Sequence, residues 1–233
     1  ETLNLADKII IPHTSYINFI PENFRSKVAI IANGVDYELF QKSVITPQTL
    51  KKIKKPIIMY IGAISDWFDF QIIRNAAENT GYNFVLIGPV SSSMKSEINL
   101  LTVNERITYL DSIAHEQIPN YLSKADLCII PFVKNKLTES VLPNKMFEYA
   151  AAGKTCVMTN FNSYLDEFSN FVSITSNKDK FIKEINNQIK NPRPSILLRE
   201  FGKKFDWRMI SSQYYNLIKD AARINKKNLS DLE

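Results

Sequence analysis

The chain has 233 residues, 45% of them hydrophobic and 23% charged, with a formal net charge of +5. That is the composition of an ordinary globular protein, long enough for one large or two small domains, and no apolar run approaches the ~20 residues of a transmembrane helix. Two cysteines and two histidines offer no convincing metal cluster, and aromatic and basic residues are not interleaved as in single-strand nucleic-acid binders, so the positive charge points to an anionic ligand or an anionic membrane surface.

The chain begins without Met or a secretory signal, in what reads as the end of a helix, which predicts a piece of a longer protein; Leu232-Glu233 reads as a cloning scar. Lys8 to Pro12 and Val28 to Ala32 are predicted as short strands, with a helix over Thr14 to Ile20 stopped by Pro21. Residues 41–55 are polar and Lys-rich, as an interdomain connection is, and the run Lys51-Lys52-Ile53-Lys54-Lys55 reads as solvated linker.

From Pro56 strands alternate with helices. Strands are predicted at Ile57 to Ile61, Tyr82 to Ile87, Arg106 to Leu110, Leu127 to Phe132, Thr155 to Thr159 and Phe171 to Thr175. Helices are predicted from Asp66 to Thr80 behind a Ser65 cap, Met94 to Leu101, His115 to Lys124, Ser163 to Phe168 and Asn177 to Asn191. After Pro192-Arg193-Pro194 a helix resumes to Lys204. Trp207 opens a last amphipathic helix with Ile210, Tyr214, Leu217, Ile218 and Ala221 on one side, fraying from Asn225. This alternation predicts an α/β fold, a Rossmann-like parallel sheet with right-handed crossovers and helices on both faces. Cys128 and Cys156 lie in apolar strand runs and read as buried free thiols, which suits a reducing cytoplasm.

The most informative stretch runs from Thr138 to Gly153. It follows the apolar strand and opens a helix, with Pro143 placed as its first residue and Gly153 as its left-handed cap. Helix N-termini at the carboxyl edge of an open sheet are where such folds bind ligands. Lys145 stands in the first turn, where a cation is unfavourable by about 0.3–1 kcal/mol, and Glu148 follows three residues on, the poorer order for a helical pair. Two readings stand: a solvated surface pair, or an anion docked on Lys145 and the N–H groups of Asn144 and Lys145, with Glu148 accepting from hydroxyls of the same ligand. Phosphate beside a diol describes a nucleotide.

The segment from Ser140 to Lys154 resembles the donor-site motif of GT-B glycosyltransferases of the group 1 (family 4-like) type. It is closest to the branch reading Pro-x-Lys-x-x-Glu-Tyr-x-Ala-x-Gly, that of teichuronic-acid and other exopolysaccharide enzymes. Three more stretches agree in the same order: Asn33-Gly34-Val35-Asp36 followed by Phe40, Tyr60-Ile61-Gly62 followed by Trp67-Phe68-Asp69, and Phe84 to Pro89. The resemblance implies the C-terminal, donor-binding half of a GT-B fold. Residues 1–45 would be a remnant of the acceptor domain with the interdomain connection, 46–205 the donor-binding domain, and 206–233 a helix crossing back, with its tail.

It further implies a metal-independent transferase that moves sugar from a nucleoside-diphosphate sugar, UDP-linked by family habit, to a polysaccharide or lipid-linked glycan acceptor. No cofactor and no nucleic acid are implied. The place implied is the cytoplasm, peripheral on the inner membrane face, where Lys-rich patches meet anionic lipid. Lys145 would stabilise the leaving diphosphate and Glu148 would hold the ribose hydroxyls. Ser140, Val141, Leu142, Pro143 and Asn144 would lie beside sugar and phosphates, Gly62 would open the phosphate side, and Leu110, Asp111 and Ser112 would form the base pocket. Ser140 departs from the first glutamate of the wider family, and Ala63, Ser65 and Trp67 replace basic residues that relatives carry after the first strand. The general base is expected outside this chain, and the chain alone is expected to be inactive. His13, His115, Trp67 and Phe68 read as structural, Asp69 as a helix-dipole partner, and Lys134 and Lys136 as either solvated or phosphate-reaching. Two further readings remain: a sugar-nucleotide epimerase on the same fold, and a non-catalytic nucleotide-binding subunit.

Overall fold

A computed structural model describes residues 2–42 and 44–230, with side chains to Arg223; Leu232-Glu233 lies outside the described residues. A short N-terminal segment carries α1 (Thr2–Leu5), β1 (Ile9–Ile11) and β2 (Val28–Ile30), the two strands pairing in parallel. The expected helix after β1 is a tight 3-10 segment, Thr14–Phe19.

The main unit follows as β3 (Ile57–Ile61), α2 (Phe70–Thr80), β4 (Asn83–Ile87), α3 (Lys95–Leu101), β5 (Ile107–Leu110) and α4 (Ile118–Leu122). Its second half is β6 (Leu127–Ile130), α5 (Lys145–Ala151), β7 (Cys156–Thr159), β8 (Val172–Thr175), α6 (Lys178–Lys190), α7 (Ser195–Lys203) and α8 (Trp207–Ser230). Strands β3 to β8 form one parallel sheet of order β5-β4-β3-β6-β7-β8. Every residue of β3 and β6 is buried, which is why these strands read as continuous apolar runs rather than alternating ones. Chain order reverses between β3 and β6, so a crevice opens at their carboxyl ends.

Two helix starts differ from expectation. Helix α2 begins at Phe70, capped by Asp69, whose carboxylate accepts from Ile72 N at 2.9 Å. Residues 64–69 are held by the sheet instead. Ile64 bridges Val90, Phe68 bridges Phe132, and Asp69 N donates to Pro131 O at 2.7 Å. Helix α5 begins at Lys145, not Pro143; its first engaged N–H is that of Met146, on Pro143 O. Its end is as expected: Gly153 has φ 69°, and Gly153 N and Lys154 N donate to Ala150 O and Tyr149 O, a Schellman cap.

Strands β3 and β6 pair only at Ile58–Leu127 and Met59–Cys128. Beyond that they part, and the buried Tyr149 hydroxyl fills the split, accepting from Ile61 N at 3.0 Å. Helix α5 is further fixed by Phe147, stacked on Phe205 at 3.9 Å, and by Gly202 of α7, where an added Cβ would lie 2.5 Å from Ala151 N.

The Asn33-Gly34-Val35-Asp36 stretch clamps the start of α8. Val35 N donates to Phe205 O at 2.7 Å and Trp207 N to Val35 O at 3.0 Å, while the Trp207 ring covers Gly34 closely enough to exclude a Cβ. Asp206 caps α8 through Arg208 N and takes the Arg208 guanidinium, which also reaches Glu38 at 2.7 Å. Of the expected apolar side of α8, Ile210 is buried and Tyr214, Leu217 and Ala221 are half-buried, but Ile218 is 63% exposed. The helix continues through the expected fray point to Ser230.

Candidate functional site

At the crevice, Gly62 follows directly on β3, and α5 supplies Lys145 and Glu148. Gly62 has φ 151° and no room for a side chain: an added Cβ would meet Lys145 Cε at 2.6 Å and Nζ at 2.7 Å. The lysine stem therefore lies along bare backbone. Its ammonium stands 5.5 Å from the centroid of Tyr60 and 5.6 Å from that of Phe132, a cation over two rings. Lys145 makes no ion pair among the described residues; the Lys145 and Glu148 charges interact only at longer range.

Burial decides the protonation behaviour of both groups. It lowers the Lys145 pKa, against the pull of Glu148 and then Cys156. It raises the Glu148 pKa, against Lys145 and then His115. Each is a half-buried charge whose partner compensates it only in part, a condition that marks functional sites more often than structural ones.

A cavity of about 410 Å³ adjoins the ammonium. Val141, Leu142, Pro143, Asn144 and Lys145 line one side of it, with Leu137 and Thr138. Tyr16, Asn33, Ala63, Trp67 and Phe132 line the rest, and of these Tyr16, Asn33 and Phe132 were absent from the sequence-level site. Trp67 packs against the core, as expected, and is also half-buried at the cavity wall, its indole N–H donating to Ala63 O at 3.3 Å. Its place at the wall follows from the 64–69 loop, bonded to Pro89 and Pro131 beyond the ends of β4 and β6, which no periodicity reveals.

Other site residues fall elsewhere. Ser140 does not line this cavity, and its hydroxyl donates to Leu137 O at 2.9 Å. Leu110, Asp111 and Ser112 close the edge strand β5, on the far side of β4 from Gly62, with Ser112 N on the Asp111 carboxylate at 2.7 Å. Phe68 is core. His13 is buried, accepting from Ser15 N and facing Glu167 at 3.4 Å, a structural placement. Lys134 pairs with Glu139 at 3.5 Å. Cys128 and Cys156 are buried and free, and burial pushes the Cys128 thiol up to about 12. Among the described residues no cluster of His, Cys, Asp or Glu could hold a metal ion, and no helix is long and apolar enough to cross a membrane.

A parallel sheet of this order, with a cation and a carboxylate from one helix at its switch point, defines the Rossmann-like α/β class. Within it, residues 55–191 match the family model described as glycosyl transferases group 1. That match covers more than half of the chain, and the chain belongs to this family. It is 30% identical over 142 residues to TuaH of Bacillus subtilis (strain 168), a glycosyltransferase ascribed to teichuronic acid biosynthesis, covering 60% of this chain and 36% of that protein. The fold is similar to a glycosyltransferase from Rickettsia africae ESF-5 (TM-score 0.75, 15% identity, 93% of this chain and 64% of that one). It is also similar to Anabaena Alr3699/HepE, solved with UDP and glucose (TM-score 0.73, 16% identity, 94% and 66%). The chain thus spans about a third of that curated relative and about two thirds of each of these two structures.

Proposed function

We propose that this chain is the donor-binding part of a glycosyltransferase that takes sugar from a nucleoside-diphosphate sugar, with UDP as the base-bearing part, for a glycan or lipid-linked acceptor. The observation that carries this is the Lys145 ammonium, laid along Gly62 at the switch point without an acidic contact. Breaking the glycosidic bond builds negative charge on the outer phosphate, and a preorganised cation in a partly dry cleft is worth most against charge that develops during reaction. Lys145 supplies it. Helix α5 has only seven residues, so the ammonium rather than the helix dipole does most of this. Glu148, one turn on, accepts from the ribose hydroxyls, and the base lies toward Leu110, Asp111 and Ser112. The cavity beyond Lys145 takes the sugar.

Residues 1–45, 46–205 and 206–233 act as acceptor-domain remnant, donor-binding domain and crossover helix. Among the described residues lining the cavity there is no carboxylate or histidine to act as a general base. The exposed Lys51, Lys52 and Lys54 precede β3, at the opposite edge of the sheet from the cleft, and would meet an anionic inner membrane face with the cleft turned away.

The test is thermal denaturation with UDP, UMP and uridine. Ligand at 100 times its Kd stabilises by about 2.7 kcal/mol, and a domain of this size gains roughly 2–4 °C per kcal/mol. A rise with UDP well above that with UMP, and none with uridine, is expected. Equal effects of UDP and uridine would remove the diphosphate from the account.

A further inference from the structure

A second cavity, of about 440 Å³, lies at the other end of α5 from Lys145, around the Gly153 cap. Lys42, Lys154 and Arg199 line it, and among the described residues no carboxylate does. None of these three cations is in an ion pair among the described residues. Such partners as they have are neutral. The Arg199 guanidinium donates to Ala151 O and Ala152 O, both at 3.2 Å, and to Gln41 Oε1 at 2.7 Å. Lys154 Nζ donates to Ala125 O at 2.8 Å and Ser123 O at 3.3 Å. Capping the carbonyl end of α5 accounts for Arg199, but not for two further cations around the same space. Burial lowers the Lys154 pKa, and Lys55 and Arg199 push it the same way, against Cys128 and Asp126. The Asp126 carboxylate is itself taken, by Lys55 at 2.6 Å and Ile57 N at 2.8 Å.

We infer that this cavity binds the phosphoryl group of a small phosphoester, held by Arg199, Lys154, Lys42 and the Ser195 hydroxyl. Donors remain for it. The Arg199 Nε–H and the Ser195 hydroxyl have no acceptor among the described residues, and both lie over Gly153, where an added Cβ would stand 2.9 Å from Nε. Lys154 uses two of its three N–H groups, and Lys42 is exposed. A phosphomonoester brings about −1.5 to −2 charge at neutral pH and three acceptor oxygens, a closer match to three cations than the single charge of a carboxylate. Phe40, Val44 and Pro119 wall the remaining space and take the carbon body of the ester. The site is separate from the β3–β6 crevice. Ser123 and Ala125 precede β6 and Lys154 precedes β7, so it opens at the amino edge of the sheet. Lys42 belongs to the polar 41–55 segment, and the ligand ties that segment to the ends of α5 and α7.

The experiment is calorimetric titration of the 233-residue chain carrying Lys145→Ala, which removes the crevice ammonium, with inorganic phosphate and glycerol 3-phosphate at constant ionic strength. One site is expected, with glycerol 3-phosphate the tighter ligand. Adding Lys42→Glu or Arg199→Gln weakens binding at least about tenfold, as loss of a charge-assisted hydrogen bond requires. Arg199 also holds the end of α5, so Lys42→Glu, at an exposed position without an ion pair, decides the matter should Arg199→Gln not fold. In the chain with Lys145 intact, Lys42→Glu leaves UDP affinity within about twofold. The source of the phosphoryl group is read by sedimentation with phosphatidylcholine vesicles carrying phosphatidate or, at equal surface charge, phosphatidylserine. A preference for phosphatidate that Lys42→Glu removes assigns the site to a lipid headgroup, and equal sedimentation beside binding of the free ester assigns it to a soluble one. Binding of neither phosphate nor glycerol 3-phosphate by Lys145→Ala, or binding unchanged by Lys42→Glu, overturns this inference and leaves the nucleotide site standing.

Discussion

At the scale of single residues, Lys145 and Glu148 act against stability in the empty chain. Burial disfavours both charged forms. For Glu148, whose folded pKa is raised, the stabilising contribution is full below its unfolded pKa and is lost as pH rises through the folded one. For Lys145, whose folded pKa is lowered, stability is full above the unfolded pKa and is lost as pH falls through the folded one. Near neutrality both penalties are present. Lys145→Met therefore raises the melting temperature of the unliganded chain, by roughly 2–4 °C for each kcal/mol of relieved charge burial, and abolishes stabilisation by diphosphate. Ligand binding depends on the charged forms, so its pH profile is a bell. The acid limb lies above the ordinary glutamate value and the alkaline limb below the ordinary lysine value, and calorimetry across pH measures both. Gly62→Ala tests the same lysine from the other side: its Cβ displaces Cε and Nζ, so diphosphate affinity falls as far as in Lys145→Ala. None of this geometry is legible in the residues themselves. The sequence marks Lys145 as electrostatically misplaced but does not show that Gly62, over eighty positions earlier, is what receives it.

At the scale of elements, the segment from β6 through α5 sets the crevice. Tyr149 holds the split between β3 and β6 by satisfying Ile61 N, a buried donor with no strand partner on that side. Tyr149→Phe leaves it orphaned, a loss of about 1–3 kcal/mol in denaturant unfolding. Phe147→Ala removes a ring with no exposed surface from a cluster of Phe168, Phe201 and Phe205 and costs about 3–5 kcal/mol. Most strands and the α5 cap were legible because buried runs and Gly153 are local signals. The starts of α2 and α5 were not. Helix α2 starts at the Asp69 cap because Ile64 and Asp69 are bonded to Pro89 and Pro131, beyond the ends of β4 and β6, and α5 starts late because Val141 N is turned back onto Thr138 O.

For the whole molecule, the alternation of strands and helices was enough to give the sheet and its parallel sense. The cavity wall was not, since Tyr16, Asn33, Trp67 and Phe132 come from four separate stretches that only the tertiary structure assembles. The clamp between the Asn33-Gly34-Val35-Asp36 stretch and α8 brings Asn33 to that wall. Gly34→Val drives a side chain into the Trp207 ring. Overpacking of this kind costs about 1–3 kcal/mol, and faster hydrogen exchange at Val35 and Trp207 shows whether the clamp has opened.

The most direct measurement is calorimetric titration of the chain with UDP, repeated on Lys145→Ala and Glu148→Ala. The account predicts one site, weakened roughly 10- to 150-fold by loss of Lys145, as removal of charge-assisted hydrogen bonds requires, and weakened less by loss of Glu148. UDP binding that is unchanged in both variants would place the nucleotide away from the β3–β6 crevice and contradict the account.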